Sequence, residues 1–287
     1  MLLDKGADVN AEGGAYGNAL QAASSGGYDQ VVQILLDKGA DVNAQGGKAL
    51  QIASFGGYGQ VVQILLDKGA NVNAQGGTYG NALYEASSQG HDSLVQMLLD
   101  KGADVNAEGG YHGNALQIAS FGGYGQVVQI LLDKGANVNA QGGTYGNALQ
   151  AASSQGHDSL VQMLLNKGAD VNAKGGYHGN ALQGADVNAE GGYHGNALQA
   201  VSSQGHNSLV QMLLDKGADV NAEGGYHGNA LQAASSGGYD QVVQILLDNG
   251  ADINAQGGFY GGARQAALSG GHDRIVQMLL DRGAIEN

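Results

Sequence analysis

The sequence predicts an all-α solenoid in which stacked helix pairs are joined by finger loops or short hairpins. One unit recurs about every 33 residues along the 287-residue chain. Each unit contains two short apolar stretches with helical spacing, and the residues between units are rich in Gly and Asn. The chain holds 52 glycines and no proline, and 43% of its residues are hydrophobic, which is enough for a core. We therefore expect a single repeat array over residues 1–287.

The repeat is marked by the string Gly-Ala-Asp/Asn-Val/Ile-Asn-Ala. It begins at Gly6, Gly39, Gly69, Gly102, Gly135, Gly168, Gly184, Gly217 and Gly250. Most steps are 33 residues, but one is 30 and one is 16. The short steps indicate a finger that lacks three residues, before Lys48, and a repeat from which 17 residues are missing, after Gln183.

The first helix of each unit is short. In the unit that starts at Gly102, the Asn114 side chain can cap the helix, residues 115–119 supply its buried side, and Gly122 and Gly123 end it.

The second helix follows at Tyr124. Its residues 127–132 are too apolar for one narrow stripe, so we expect this helix to be sandwiched between neighbouring units. Lys134 and Gly135 suit the end of a helix, and residues 136–146 read as an extended finger.

In these positions the chain resembles the ankyrin repeat. The family pattern Gly-Ala-x-Val-Asn-Ala, Thr-Pro-Leu-His-x-Ala-Ala and Gly-His-x-x-Ile-Val-x-Leu-Leu-Leu aligns without a gap, with Asn-Ala-Leu-Gln replacing Thr-Pro-Leu-His at residues 18–21 and 114–117. The resemblance implies a solenoid that binds proteins through its concave face and fingers. The Asn-Ala-Leu-Gln variant is similar to the ankyrin tails of filamentous-fungal NLR-like proteins.

The alignment predicts eight full helix pairs, after a partial repeat at 1–16. They lie at about 17–38, 48–68, 80–101, 113–134, 146–167, 195–216, 228–249 and 261–282, with a truncated repeat at 168–184. Because the truncated repeat lacks a second helix, we expect residues 168–195 to form an irregular finger. The pairs on either side of it should stack directly on each other.

Composition excludes several functions. Twelve basic residues against 26 acidic ones, a net charge of −14, disfavour nucleic acid as a partner. The chain has no cysteine, so thiol nucleophiles and thiolate metal sites are absent. No apolar run is long enough to span a bilayer, and the N-terminus does not resemble a signal peptide. We expect an intracellular protein, cytoplasmic or nuclear, without a membrane partner.

The sequence contains no convergent catalytic or metal-binding group. Four histidines begin second helices, where a structural role is expected: His91, His157, His206 and His272. In the sequence His-Asp-Ser at 91–93, neighbouring helical side chains point about 100° apart and cannot form a triad. Equivalent residues of stacked units lie about 8–10 Å apart, too far to share a metal ion. The sequence predicts no enzyme, cofactor or metal.

Eight of the 12 basic residues recur at the end of the second helix, where they are expected to compensate the helix dipole. They are Lys5, Lys38, Lys68, Lys101, Lys134, Lys167, Lys216 and Arg282. The acidic excess recurs in loops and indicates a solvated face.

The finger aromatics are the candidate partner-binding residues, since a regular row of Tyr and His suits protein recognition. The set is Tyr79, Tyr111, His112, Tyr145, Tyr177, His178, Tyr193, His194, Tyr226, His227, Phe259 and Tyr260, and Tyr16 occupies the same position in the first finger. Packing of these rings between adjacent fingers is an equally strong alternative, and both roles can hold together.

The sequence thus predicts a protein–protein interaction module. The alternatives are the sensor tail of a larger fungal NLR-like protein and a structural or non-functional fragment. Residues 1–8 repeat residues 97–104 letter for letter, so the chain starts within a second helix. We expect no polar capping repeat at either end, with Leu20, Val31 and Leu35 losing part of their cover and the uncapped ends self-associating.

Overall fold

A computed structural model describes residues 6–13, 17–76, 80–110, 113–144, 146–174 and 195–285. Within these ranges the chain forms sixteen α-helices in eight pairs and no strands beyond isolated bridges in the fingers. The predicted all-α repeat fold is confirmed. The chain divides into two units, Met1–Ala136 and Asn137–Asn287.

The helices alternate between first helices, with odd numbers, and second helices, with even numbers. In unit 1 they are α1 (Ala19–Ser25), α2 (Asp29–Asp37), α3 (Ala44–Phe55), α4 (Gly59–Asp67), α5 (Ala82–Ser88), α6 (Asp92–Asp100), α7 (Ala115–Gly122) and α8 (Gly125–Asp133). In unit 2 they are α9 (Ala148–Ser154), α10 (Asp158–Asn166), α11 (Ala197–Gln204), α12 (Asn207–Asp215), α13 (Ala230–Gly237), α14 (Asp240–Asp248), α15 (Ala263–Gly270) and α16 (Asp273–Asp281). Within each unit, first helices pack on first helices and second on second.

Asparagine caps most first helices, as the sequence predicts. The Asn114 side chain accepts the backbone N–H of Gln117 at 3.1 Å, and the Gln117 side chain accepts the backbone N–H of Asn114 at 2.7 Å. This reciprocal capping box satisfies two backbone N–H groups at the start of the helix. The glutamines also reach the next finger, since Gln51 Nε2 donates to the Ala74 carbonyl at 3.1 Å.

The second helices form the sandwiched layer. In α8, Val127, Val128 and Leu131 are 1% exposed or less, because neighbouring helices cover them. The equivalent three positions are also buried in α4, α6, α10, α12 and α14.

Helix α3 begins at Ala44, four residues before the predicted pair at 48–68. The finger that precedes it is shorter by three residues, and the helix extends backwards through the positions that would form the finger. Asn43, at its N-terminus, makes no capping bond because its side chain bonds instead to the backbone of Gly69 and Asn71.

Asparagine side chains also form hydrogen bonds to the backbone of the next repeat. We call this series of bonds the asparagine ladder, and it continues across the truncated repeat. Asn73 bonds to the Gly102 carbonyl at 3.0 Å and the Asp104 N–H at 2.8 Å. Asn172 makes the same two bonds at 3.1 and 2.7 Å, but to Gly217 and Asp219, 45 and 47 residues further on. Helices α9 and α11 pack on each other. Direct stacking of the flanking pairs is confirmed, whereas the predicted irregular finger lies mostly outside the described residues.

The expectation for the first pair is only partly correct. Val31 is 46% exposed, but Leu20 and Leu35 are buried at 1% and 6%, because the following repeat covers them. In the last pair, Arg264 stands where α13 has the buried Leu231.

Candidate functional site

The fingers at 224–228 and 257–261 of unit 2 are narrow hairpins that lie directly against each other. Gly224 pairs with Gly228, and Gly257 with Gly261. A Cβ atom at Gly258 would lie 2.4 Å from the carbonyl carbon and oxygen of His227, and the φ of Gly258 is +60°. Glycine is therefore required at this position both by the contact and by the left-handed backbone. The glycine pairs allow backbone-to-backbone packing of neighbouring fingers.

Two adjacent fingers carry a fingertip cluster, defined here as Tyr226, His227, Phe259 and Tyr260. The rings of Tyr226 and Phe259 stack with centroids 4.9 Å apart, and the Phe259 N–H donates to the Tyr226 carbonyl at 2.9 Å. His227 stacks on Tyr260 with centroids 6.4 Å apart. Phe259 nevertheless remains 68% exposed. The cluster therefore packs between fingers and also presents an aromatic surface to solvent.

Ser236 helps to position the His227 ring. Its Oγ lies 3.3 Å from His227 Nδ1 and donates to the Ala233 carbonyl at 2.9 Å. Since α13 holds Ser236 and Ala233, the ring orientation is set by a rigid helix rather than by the loop alone.

The structure brings these four predicted residues together and describes none of the others. Outside the described residues lie Tyr16, Tyr79, Tyr111, His112, Tyr145, Tyr177, His178, Tyr193 and His194.

The histidines and tyrosines that begin second helices serve the stacking of repeats. The His91 ring covers Gly57 of the preceding repeat, and its Nε2 lies 3.1 Å from the Phe55 carbonyl oxygen. His272 does the same over Gly238, with Nε2 3.1 Å from the Ser236 carbonyl oxygen. This geometry supports the structural role expected for these histidines.

The recurring basic residues form ion pairs between repeats as well as lying at helix ends. Lys68 pairs with Asp37 at 2.7 Å and Lys134 with Asp100 at 2.7 Å. The Lys68 hydrogen bond, with help from Gln33, holds the pKa of the Asp37 carboxyl below its usual value. The prediction of dipole compensation alone missed these carboxylates, which lie on the preceding repeat. Because the pairs are solvent-exposed, each contributes little to stability.

The first-helix face of unit 1 contains a buried carboxyl group that the sequence analysis did not single out. Glu85 in α5 is 4% exposed, and it is the only buried charged residue among those that the structure describes. Burial raises the pKa of Glu85 to about 7. The adjacent Tyr84 is also buried, and its ring lies against the backbone of Gly109 and Gly110.

Residues 54–108 are nearly identical to residues 120–174, and a comparison of the two segments points to Glu85 from the sequence alone. The two segments differ at only four positions, namely Tyr84/Gln150, Glu85/Ala151, Asp100/Asn166 and Glu108/Lys174. Two of the four are adjacent on a first helix. Glu85 lies on a helix, outside the set of loop acids that were expected to form a solvated face.

The described residues hold no group of three His, Asp or Glu side chains that could bind a metal ion. Of the helices described, none is long and apolar enough to cross a membrane. The features that the structure brings together are thus surfaces: an aromatic fingertip cluster, and a first-helix face with one buried acid.

Comparison with known proteins agrees with the repeat geometry. A family model for ankyrin repeats, in three copies, matches residues 1–76, 46–109, 83–175 and 179–257. Among solved structures, the ankyrin repeat domain of human ASB11 is similar, with a TM-score of 0.65 and 24% identity over 83% of this chain and 99% of that chain. No curated protein matches the sequence significantly. Because the family model spans most of the repeats described above, the chain belongs to the ankyrin-repeat family.

Proposed function

We propose that this ankyrin array is an intracellular protein–protein interaction module whose first-helix face and fingers contact the partner. The observation that carries the proposal is the fingertip cluster. Aromatic side chains on a rigid support are favoured at protein interfaces because they bury much area at low entropic cost. Phe259 has this character, since it is 68% exposed yet stacked on Tyr226.

The test is quantitative capture on the immobilised full chain. Proteins retained by the wild type are compared by mass spectrometry with those retained by Phe259→Ala and by Ile245→Ala. Ile245 is a matched control because it is a partly exposed apolar residue of the same unit on the second helix α14, outside the first helices and the fingers. We expect a specific protein to be lost from Phe259→Ala and kept by Ile245→Ala. Equal retention by both variants, with unchanged helical circular dichroism, would count against the fingers as the site.

We also propose that a second copy of the chain can cover the exposed side of α2. The nine residues of α2 and α14 are identical in sequence, yet Val31 is 46% exposed and the equivalent Val242 is fully buried against the neighbouring repeat. A repeat from another copy would supply the same cover. Sedimentation velocity should show concentration-dependent association that Val31→Lys abolishes, and a strictly monomeric wild type would exclude it.

The Asn-Ala-Leu-Gln start of the first helices leads us to propose that the array serves as the recognition tail of a larger fungal NLR-like protein. A transcript that joins this array to a nucleotide-binding segment would support the proposal, and a transcript with no such segment would oppose it.

A further inference from the structure

Three neighbouring first helices of unit 1 differ in composition from the rest of the array. Two of the three phenylalanines of the chain, Phe55 and Phe121, occupy the same repeat position on α3 and α7. The equivalent residue of α5, which packs between these two helices, is Ser88. A small residue thus stands between two large ones at a spacing of about one helix diameter on each side.

Glu85 lies one helical turn before Ser88 on the same face of α5. The corresponding positions of α3 and α7 hold Ile52 and Ile118, so the carboxyl group lies in a row of isoleucines. The Ser88 hydroxyl donates to the backbone carbonyl of Glu85 at 2.8 Å and is directed at its own helix. The sizes of these side chains predict a notch between the three helices, defined here by Phe55, Ser88 and Phe121 at its rim and Glu85 at its floor.

The carboxylate at the floor has no partner among the described residues, and burial is the cause of its raised pKa. The charged residues of the helices that pack against α5 are Lys48 on α3 and Asp92 and Asp100 on α6, while α7 has none. Asp100 pairs with Lys134 at 2.7 Å, and Asp92 accepts the Ser93 N–H. Lys48 lies one turn before Ile52 and makes no ion pair with Glu85.

A buried, unpaired acid is costly, since a charge out of water needs a partner of opposite sign. The copy of this segment 66 residues later shows that the fold does not require the acid, because α9 has Ala151 at the same position. The fold therefore tolerates an uncharged residue at this position.

Building on the proposed protein-binding function, we propose that the Glu85 notch is a recognition site for one Lys or Arg side chain of the protein partner. The cationic group would pair with the carboxylate at the floor, and apolar residues next to it in the partner would contact Phe55 and Phe121. Such a pair is desolvated on both sides, which is the setting in which charge pairs at interfaces discriminate strongly between partners. The net charge of −14 favours approach of a basic segment.

The experiment selects from a random dodecapeptide display library on the full-length chain and on its Glu85→Ala variant. We expect the wild type to enrich peptides with one Lys or Arg flanked by apolar residues. Their affinity should fall by about tenfold or more on Glu85→Ala and on replacement of the peptide arginine by citrulline. Glu85→Ala reproduces the residue of α9, so the variant is expected to fold. Asp100→Asn, also a natural difference between the two copies, removes one negative charge from the second helix α6 and should weaken binding much less.

A second readout follows the Glu85 carboxyl carbon by NMR. Because an adjacent cation favours the carboxylate, a bound selected peptide should lower the pKa of Glu85 by about one unit or more. One contrary outcome is that the selected peptides lack basic residues and bind the Glu85→Ala variant as tightly as the wild type, but lose affinity for Phe55→Ala. That outcome would overturn the proposed role of Glu85 and leave the first-helix face as a protein-binding surface. Failure to enrich any peptide, with no response of Glu85 to Nα-acetyl-arginine amide, would overturn the notch as well. The proposed function would then be judged by the Phe259 capture experiment alone.

Discussion

The buried carboxyl group of Glu85 makes the stability of unit 1 depend on pH, and its removal should make the protein more stable at neutral and alkaline pH. In the folded chain burial raises the pKa of Glu85 from 4.5 to about 7. Below pH 4.5 the group is protonated in both states. Between these values the folded state holds a proton that the unfolded state has released, so the free energy of unfolding falls as the pH rises.

The size of this effect follows from the pKa difference. Each pKa unit corresponds to about 1.4 kcal/mol, so the difference between 4.5 and about 7 amounts to about 3 kcal/mol at full effect. Water penetration at the edge of the notch reduces this, and we expect a change of about 2–3 kcal/mol between about pH 4 and about pH 8.

The assay is urea unfolding of the full chain, followed by circular dichroism, for the wild type and Glu85→Ala across this pH range. The free energy of unfolding of the variant minus that of the wild type should rise by about 2–3 kcal/mol from about pH 4 to about pH 8. Other titrating groups are common to both proteins and cancel in the difference. Asp100→Asn, a natural difference at a solvent-exposed site, should show no comparable rise. A difference that stays flat with pH would refute the account of Glu85 as a buried, unpaired acid.

Three further changes test the scaffold. Gly258→Ala should cost about 1–3 kcal/mol more than Gly261→Ala in urea unfolding, because both glycines have left-handed φ, +60° and +80°, but only Gly258 faces a backbone contact at 2.4 Å. Asn172→Ala and Asn221→Ala should each cost about 1–2 kcal/mol, since both lose the same two bonds; a near-neutral Asn172→Ala would mean that the ladder does not carry across the truncated repeat. Ser120→Ala should raise the thermal midpoint, because the Ser120 hydroxyl is buried and no described residue forms a hydrogen bond with it; a lower midpoint would contradict this.

The helix pairs could be predicted because their signals are local. Asn114 is a capping residue followed by an apolar run, and Val127, Val128 and Leu131 have the spacing of a covered helix. The early start of α3 could not be predicted, because it depends on how a shortened finger is absorbed by the helix that follows it.

The candidate site was predicted less completely because its properties arise between repeats. The spacing of Tyr226 and Phe259 shows that they share a repeat position, but only the packing of adjacent fingers shows that their rings stack. Glu85 looks like an ordinary surface acid in the sequence. Its burial comes from α3 and α7, which lie more than 20 residues away in either direction. The ion pairs of Lys68 and Lys134 likewise join residues of different repeats.

Hydrogen–deuterium exchange of the full chain with and without the protein recovered by capture tests the central claim that partners bind to the first helices and fingers. We expect slower exchange on binding in α3, α5 and α7 and in the fingers at 224–228 and 257–261. Exchange in the second helices should be unchanged. Slowing that is confined to second helices such as α4, α6 and α14, with the first helices and fingers unaffected, would contradict the claim.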